Sequence, residues 1–270
     1  MELRFTKMNG AGNDFVVIDN RSGEFALDKK TIARLCDRHR GVGADGLLAV
    51  ETAAGTADFR MRYYNADGGE AEMCGNGARC FARFAARLMP AQPSCVDFET
   101  MAGKITASLE GDLVSLDMGR PQDHRPPQAL DVGGEKLSVH FVNTGVPHAV
   151  VFVEDLESVD VRGLGSAIRH HSAFAPKGTN ANFVRILAPG RLAIRTYERG
   201  VEGETLACGT GVCAAALLHA ATGSVPSPVE VTVRGGDTLR VDFTKSSDGS
   251  FDSARLTGPA DFVFEGVVSL

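Results

Sequence analysis

The chain has 270 residues, 43% of them hydrophobic and 23% charged, with a formal net charge of −6 at pH 7. This is long enough and apolar enough for two globular cores, and it excludes a disordered or fibrous chain. The negative balance and the absence of a basic run speak against nucleic acid as a partner, and no apolar run approaches the ~20 residues of a membrane span.

In chain order, residues 3–8 and 15–19 read as strands, and the start shows no apolar signal core, so a cytoplasmic protein is expected. A helix is predicted from about 28 to 39, with Asp28 as N-cap and Gly41 past its end. Residues 47–51 form a short strand, and 59–64 alternate apolar and charged side chains as a half-buried strand does. From 76 to 89, Ala78, Phe81, Ala85 and Leu88 recur at helical spacing before Pro90. Short strands follow at 96–100, 104–110 and 113–117, and then the Pro-rich segment 119–127 reads as a linker. Beyond it come strands at 137–143 and 149–153, a helical stretch including 163–168, and strands at 182–187 and 192–197. A helix at 212–221 is apolar nearly all round, hence buried, with Gly223 as its stop. Strands at 229–234, 238–243 and 261–268 close the chain. The sum is an α+β protein of two similar domains, 1–118 and 119–261.

Gly41-Val42-Gly43-Ala44-Asp45-Gly46 matches the glycine string of dinucleotide sites. Such a site needs strand, glycines and then helix, whereas the predicted order here is helix, glycines, strand. The six cysteines are expected to be free thiols, because a chain of this size without an export signal has little need of disulfides. Their spacing is not that of a zinc site, and no metal or cofactor is expected. Cys36, Cys80, Cys95 and Cys213 are read as small buried hydrophobes.

The remaining two cysteines lie in a repeated pattern. Gly69-Glu70 precedes Cys74-Gly75-Asn76-Gly77, and Gly203-Glu204 precedes Cys208-Gly209-Thr210-Gly211 at the same spacing. Each copy opens into an Ala-rich helical run. A helix N-terminus favours the anionic thiolate, and Gly75, Gly77, Gly209 and Gly211 would let the backbone approach a ligand closely. One such turn is an ordinary tight turn. Two, each keeping its thiol, suggest an acid and a base working on one carbon, as in a cofactor-independent racemase or epimerase.

From end to end the chain resembles the diaminopimelate epimerase family. The markers are Lys7 to Phe15 (KMNGAGNDF), Asn65-Ala66-Asp67-Gly68, Met73 to Cys80 (MCGNGARC), Pro147-His148, and Tyr197-Glu198-Arg199-Gly200 ahead of Ala207-Cys208-Gly209-Thr210-Gly211. The resemblance implies pyridoxal-phosphate-independent interconversion of L,L- and meso-diaminopimelate, in lysine and peptidoglycan-precursor synthesis. It implies two pseudo-symmetric domains, each a curled, mostly antiparallel, barrel-like sheet around a central helix, with the active site in the cleft between them. Cys74 and Cys208 become the catalytic acid/base pair. Asn13, Asn65, Asn76, Asn180, Glu198 and Arg199 become substrate contacts, with the amides of Gly75, Asn76, Gly209 and Thr210 on the reacting carboxylate. His148 and Glu198 fall beside the thiols, in a proton network or a stereochemical role. The strand at about 262–270 returns to complete the first domain near a homodimer interface, with Phe264 in the contact.

Family members carry Gln at the position of Gly46 and Asn at that of Val146, and neighbouring Asn143 or Thr144 are candidate substitutes. Three other readings stay open at this point. Proline racemases and hydroxyproline epimerases share the two cysteines but resemble Cys-Gly-His-Gly where this chain has Asn76. A non-catalytic small-molecule binder would be expected to lose a cysteine. A thiol–disulfide oxidoreductase would pair cysteines close in sequence.

Overall fold

The computed structural model describes residues 2–91 and 93–270. The chain divides into two compact units, residues 1–116 with 258–270 and residues 117–257. The fold is mixed α+β, built mostly of strands.

In the first unit β1 (Glu2–Gly10) pairs antiparallel with β2 (Asn13–Asp19), β2 runs parallel to β3 (Gly46–Glu51), and β3 is antiparallel to β4 (Phe59–Asn65). Two strands join β4, the short β5 (Glu70–Ala71) antiparallel and β6 (Cys95–Thr100) parallel. The antiparallel strands β7 (Gly103–Glu110) and β8 (Leu113–Asp117) follow. Helix α1 (Lys29–Cys36) connects β2 to β3, and α2 (Gly75–Arg87) connects β5 to β6.

The second unit repeats this order. β9 (Gln122–Val132) is antiparallel to β10 (Glu135–Asn143), which pairs with β11 (Pro147–Phe152). β11 is parallel to β12 (Asn180–Ala188), and β12 is antiparallel to β13 (Arg191–Glu198). β13 takes β14 (Gly203–Thr205) antiparallel and β15 (Val229–Thr232) parallel, and β16 (Thr238–Lys245) and β17 (Phe251–Pro259) follow antiparallel. Helices α3 (Val161–Arg169) and α4 (Gly209–Gly223) occupy the places of α1 and α2. β18 (Asp261–Ser269) closes the first unit against β1, from Glu2 opposite Ser269 to Asn9 opposite Asp261.

The middle strands β2, β3 and β11 are covered on both faces and are buried nearly throughout, whereas β4 and β15 alternate. In β2, Val16 and Ile18 join Ile32, Leu35 and Cys36 of α1 in one cluster, while Phe15 lies against α2 at Gly77. In the second unit Ala149 and Val151 of β11 pack with Val161 and Ile168 of α3, while His148 lies against α4 at Gly211. The interior of α4 is buried from Val212 to Ala220, as a helix apolar on every side must be. Both outer helices start at a capping carboxylate. Asp28 accepts from the N–H groups of Lys30 and Thr31, each at 2.9 Å, and Asp160 from that of Gly163 at 2.9 Å.

A stripe of arginines on α2 anchors the returning chain. Arg79, Arg83 and Arg87 recur at i, i+4 and i+8 on one helix face. Arg79 donates to the carbonyl of Pro259 (3.2 Å), Arg83 to that of Ala260 (2.6 Å), and Arg87 to Glu265 (2.9 Å). Arg83 and Arg87 also lie over the ring of Phe262, 5.0 and 4.5 Å from its centre.

Four expectations change. The segment 119–127 is not a free linker, because β9 runs through Pro126-Pro127. Register places Gln128 opposite Val139 and Arg125 opposite Phe141, so the two prolines face His140 in a bulge, where no N–H is required of them. The first helix stops at Cys36 rather than His39, since Asp37 leaves helical geometry (ψ 119°) and its side chain accepts from the N–H groups of His39 and Arg40. Gly223 is the last residue of α4, and Ser224 takes the left-handed position after it (φ 51°). Cys95 is exposed, because it opens β6 on the outward side while Val96 and Phe98 point in.

The glycines at the third position of the repeat also serve packing. A methyl on Gly77 would come 3.2 Å from Leu48 Cδ2 and 3.4 Å from the ring of Phe15. A methyl on Gly211 would come 2.5 Å from Asn182 Oδ1. These glycines bring each central helix down onto its own sheet, a different use from the ligand approach expected. The clash at Gly211 is the worse one, because Asn182 is fully buried and held. Gly211→Ala is therefore expected to cost about 1–3 kcal/mol, in the range of overpacked cores, and Gly77→Ala less. Denaturant unfolding of the two variants checks the order.

Candidate active site

Cys74 is the N-cap of α2 and Cys208 the N-cap of α4, with matching backbone angles (φ −136°, ψ 121° and φ −125°, ψ 107°). In each case the cysteine carbonyl accepts the first helical bond, from Ala78 (2.7 Å) and Val212 (2.9 Å). Neither thiol caps its helix. The first N–H groups of a helix have no intrahelical partner, so both thiols stand where an anion is favoured.

The Glu of each repeat anchors the loop that carries the cysteine. Arg62 on β4 grips Glu70 with two bonds of 2.8 Å, and Arg195 on β13 grips Glu204 with bonds of 2.7 and 2.9 Å. Two parallel N–H···O bonds fix direction as well as distance. Register makes the pairs equivalent, with Glu70 opposite Tyr64 and Glu204 opposite Tyr197. The duplicated Gly-Glu thus encodes a brace.

Around Cys74, its Sγ–H donates to Asn13 Oδ1 at 3.6 Å, and Asn13 Nδ2 donates to Asp45 Oδ2 at 2.7 Å. Asp45 and Asp14 are both held by Arg38, and Lys7 pairs with Asp14 at 2.8 Å. Burial opposes ionisation of Asp14, but the bonds from Arg38 and Lys7 outweigh it and hold its carboxyl well below the usual range. Asp45 and the Lys7 contact at the Gly43 carbonyl lie in the glycine string, which runs from α1 into β3. Gly10 brings β1 against α2, where a methyl would lie 2.8 Å from the carbonyl of Asn76. Asn76 is buried and its side chain accepts from Arg79 at 3.0 Å. Asn65 is exposed at the end of β4 and accepts from the Tyr63 hydroxyl at 2.8 Å. A side chain at Gly46 would begin 2.6 Å from the Tyr64 carbonyl and 2.8 Å from the ring of Tyr63, so a longer residue there requires the β4 backbone as well as that ring to shift.

Around Cys208, its Sγ lies 3.5 Å from the Thr210 hydroxyl, and the Thr210 carbonyl accepts from buried Thr144 at 2.8 Å. Asn180 uses both ends of its amide within the fold, donating to the Pro147 carbonyl (3.1 Å) and accepting from the Arg199 N–H (2.8 Å). Asn143 caps a turn through the Gly145 N–H, and with Thr144 engaged as well both candidate substitutes for Val146 have partners in the fold. Glu198 accepts from Thr205 at 2.9 Å, and burial nevertheless raises its carboxyl above the usual value. His148 is fully buried, and burial together with the nearby Arg199 charge pushes its imidazole down to about 3. Sequence reasoning missed Asn182, which bonds His148, and Thr196, which bonds Asn182. Both are polar side chains at buried positions of β12 and β13, strands that carry other polar residues too, so nothing in the sequence singles them out.

By contrast, Cys36 and Cys80 are buried away from such helix ends, and burial pushes each thiol up to about 12. Among the described residues no three His, Cys, Asp or Glu side chains gather as a metal site requires, and no helix is long and apolar enough to cross a membrane.

The family profile described as Diaminopimelate epimerase matches residues 5–123 and 140–263. The chain belongs to the diaminopimelate epimerase family. A diaminopimelate epimerase of Chlorobaculum tepidum is 46% identical over 267 residues, covering 97% of this chain and all of that one. Family membership makes the protein an isomerase of the epimerase kind. A phenazine biosynthesis protein of the PhzF family from Bacillus anthracis shares the fold with a TM-score of 0.75 at 16% identity, covering 100% of both chains. A probable proline racemase from Agrobacterium radiobacter does so at 0.71 and 15%, covering 99% of this chain and 92% of its own. At such identities the two structures speak for the fold alone.

If the Arg–Glu braces hold the cysteine loops, Glu204→Gln should speed amide hydrogen exchange at residues 205–208, and Glu70→Gln at 71–74. Exchange within α4 and α2 should stay near the parent's in each case. Mass-spectrometric exchange mapping reads both.

Proposed function

We propose that this chain interconverts L,L- and meso-diaminopimelate with Cys74 and Cys208 as the acid/base pair. The observation that carries the reading is the equivalent placement of both thiols. Each is the N-cap of the central helix of its unit, and neither spends its side chain on the cap.

In this mechanism one cysteine, as thiolate, takes the α-proton and becomes a thiol. The electron pair left on carbon delocalises into the α-carboxylate. The other cysteine, as thiol, returns a proton to the opposite face and becomes a thiolate, so the next turnover in the reverse direction starts from the exchanged pair. Negative charge building on the carboxylate is met by the N–H groups of Gly75 and Asn76 and of Gly209 and Thr210. Preorganised donors of this kind contribute about 2.7–4 kcal/mol each in other enzymes. Thiols suit both roles because their pKa values can be brought near neutrality.

The substrate carries a second amino-carboxylate, which must be recognised away from the reacting carbon. We assign Arg199 to that carboxylate, since a guanidinium offers two parallel donors. Asn180 holds the Arg199 backbone in place, and Glu198, Asn13, Asn65 and Asn76 supply the remaining polar contacts. No cofactor takes part in this scheme. The reading extends to a cytoplasmic homodimer formed through β18, whose Val263, Phe264 and Val267 are exposed apolar residues on a strand. Phe264 is half exposed although it meets Phe5 edge-on at 5.9 Å.

In D2O the parent protein should place deuterium at the α-carbon of L,L-diaminopimelate and convert it to the meso form. Cys74→Ala and Cys208→Ala should each reduce interconversion to background, whereas Cys95→Ala should keep most of it. Parent-like activity in either of the first two variants would sink the two-thiol mechanism, and preferential turnover of proline would move the chain to the racemase group.

Phe264→Asp should shift the protein from dimer to monomer by placing an unpaired charge in an apolar contact. Light scattering at micromolar concentration reads this directly, and an active monomeric parent would overturn the dimer.

A further inference from the structure

The two units differ most informatively beneath the first turn of their central helices. Register makes the positions equivalent. Phe15 lies opposite Gly46 on the β2–β3 pair as His148 lies opposite Asn180 on β11–β12, and Val17 opposite Leu48 as Val150 opposite Asn182. In the first unit Gly77 rests on Phe15 and Leu48, an apolar pair. In the second, Gly211 rests on His148 and Asn182, both fully buried. The first unit demonstrates that the fold is satisfied with hydrocarbon at these two positions. Burying an imidazole and an amide instead costs free energy unless every polar atom is paired, and one is not. His148 Nε2 has no hydrogen-bond partner among the described residues.

The hydrogen bonds decide where the imidazole proton sits. Asn182 Nδ2 lies 2.9 Å from the carbonyl oxygen of Ala149, which can only accept, and that contact fixes the direction of the amide. Asn182 Oδ1 accordingly faces the Thr196 hydroxyl at 3.0 Å, which donates to it. The same Nδ2, with its second hydrogen, faces His148 Nδ1 at 3.1 Å. Nδ1 must therefore accept, and in a neutral ring the proton then belongs to Nε2. The ring edge at Cε1 lies against the first turn of α4, where a methyl on Gly211 would approach it to 3.4 Å.

We propose that Asn182 is a positioning residue that locks His148 as a neutral Nε2–H tautomer, a fixed buried donor beside the helix end that Cys208 caps. The catalytic consequence rests on the epimerase reading, while the tautomer does not. A neutral N–H donor supports negative charge on the Cys208 thiolate or on the reacting carboxylate without competing for the α-proton, as a basic imidazole nitrogen in the same place would. Thr196 completes the chain by holding the amide from its far side.

Heteronuclear NMR of protein labelled with 15N-histidine tests this, because ring carbon-bound protons couple differently to protonated and bare nitrogens. The parent should show His148 with Nε2 protonated and Nδ1 bare at neutral pH. Asn182→Asp offers a carboxylate to Nδ1–H and should move the proton to Nδ1. Its kcat should fall by about a hundredfold, the low end of what a positioned acid–base or donor group contributes, with KM little changed. Asn182→Gln, which keeps an amide, should recover more of kcat than Asn182→Asp. The double variant His148→Phe/Asn182→Leu, which copies the packing of the first unit, should fold with parent-like circular dichroism and be inactive. A parent protein with the proton on Nδ1, an unchanged tautomer in Asn182→Asp, or an active double variant would each overturn the proposal. If the parent showed the Nε2–H form yet did not epimerise diaminopimelate, the functional reading would fail and the tautomer lock would stand.

Discussion

Everything at the candidate site depends on how closely a helix can begin above a sheet. Each central helix starts at a cysteine and then passes a glycine, Gly77 or Gly211, that sits in contact with side chains of the strands below. Any side chain at that point would lift the first turn, and with it the thiol and the row of N–H groups that begins there. The central helices are buried on nearly every side, so the lift could not be absorbed by tilting toward solvent. The Arg62–Glu70 and Arg195–Glu204 pairs act on the same turn from the loop side. Their Coulombic worth at partly exposed positions is small, and their value lies in direction.

Much of this was legible in the sequence. The two central helices, the strands leading into them and the duplicated cysteines were visible because apolar periodicity and a repeated motif are local signals. What escaped was non-local. β14 and β5 are too short to show a period, and β17 alternates imperfectly, with Thr257 buried among apolar neighbours. β9 was hidden by Pro126-Pro127, which look like a break until His140 is seen to face them in a bulge. Cys95 was misplaced because a cysteine carries no mark of which way it points on a strand.

The site residues show the same division. Cys74 and Cys208 announced themselves by repetition, whereas Asn182 sits inside an ordinary strand sequence and gains meaning only when β11 is laid beside β12. Asn180, expected to touch substrate, also bonds the Pro147 carbonyl and the Arg199 N–H within its own unit. A sequence motif states which residue types gather, but not which of them face a ligand and which hold their neighbours.

The arginine stripe of α2 has a consequence for how this chain comes to be folded. Its partners are Pro259, Ala260 and Glu265, and the strand that flanks β1 is β18, which follows the whole second unit in the chain. On a ribosome, residues 117–257 emerge as a complete set of contacts before the first unit has its final strand. Of the two units, the one begun first is thus the one completed second. Until β18 has been made, β1 offers an open edge and α2 carries arginines whose carbonyl partners do not yet exist. Closing that loop across more than two hundred residues is a slow, high-separation event, and it makes an intact β18 a condition for the folding of the first unit.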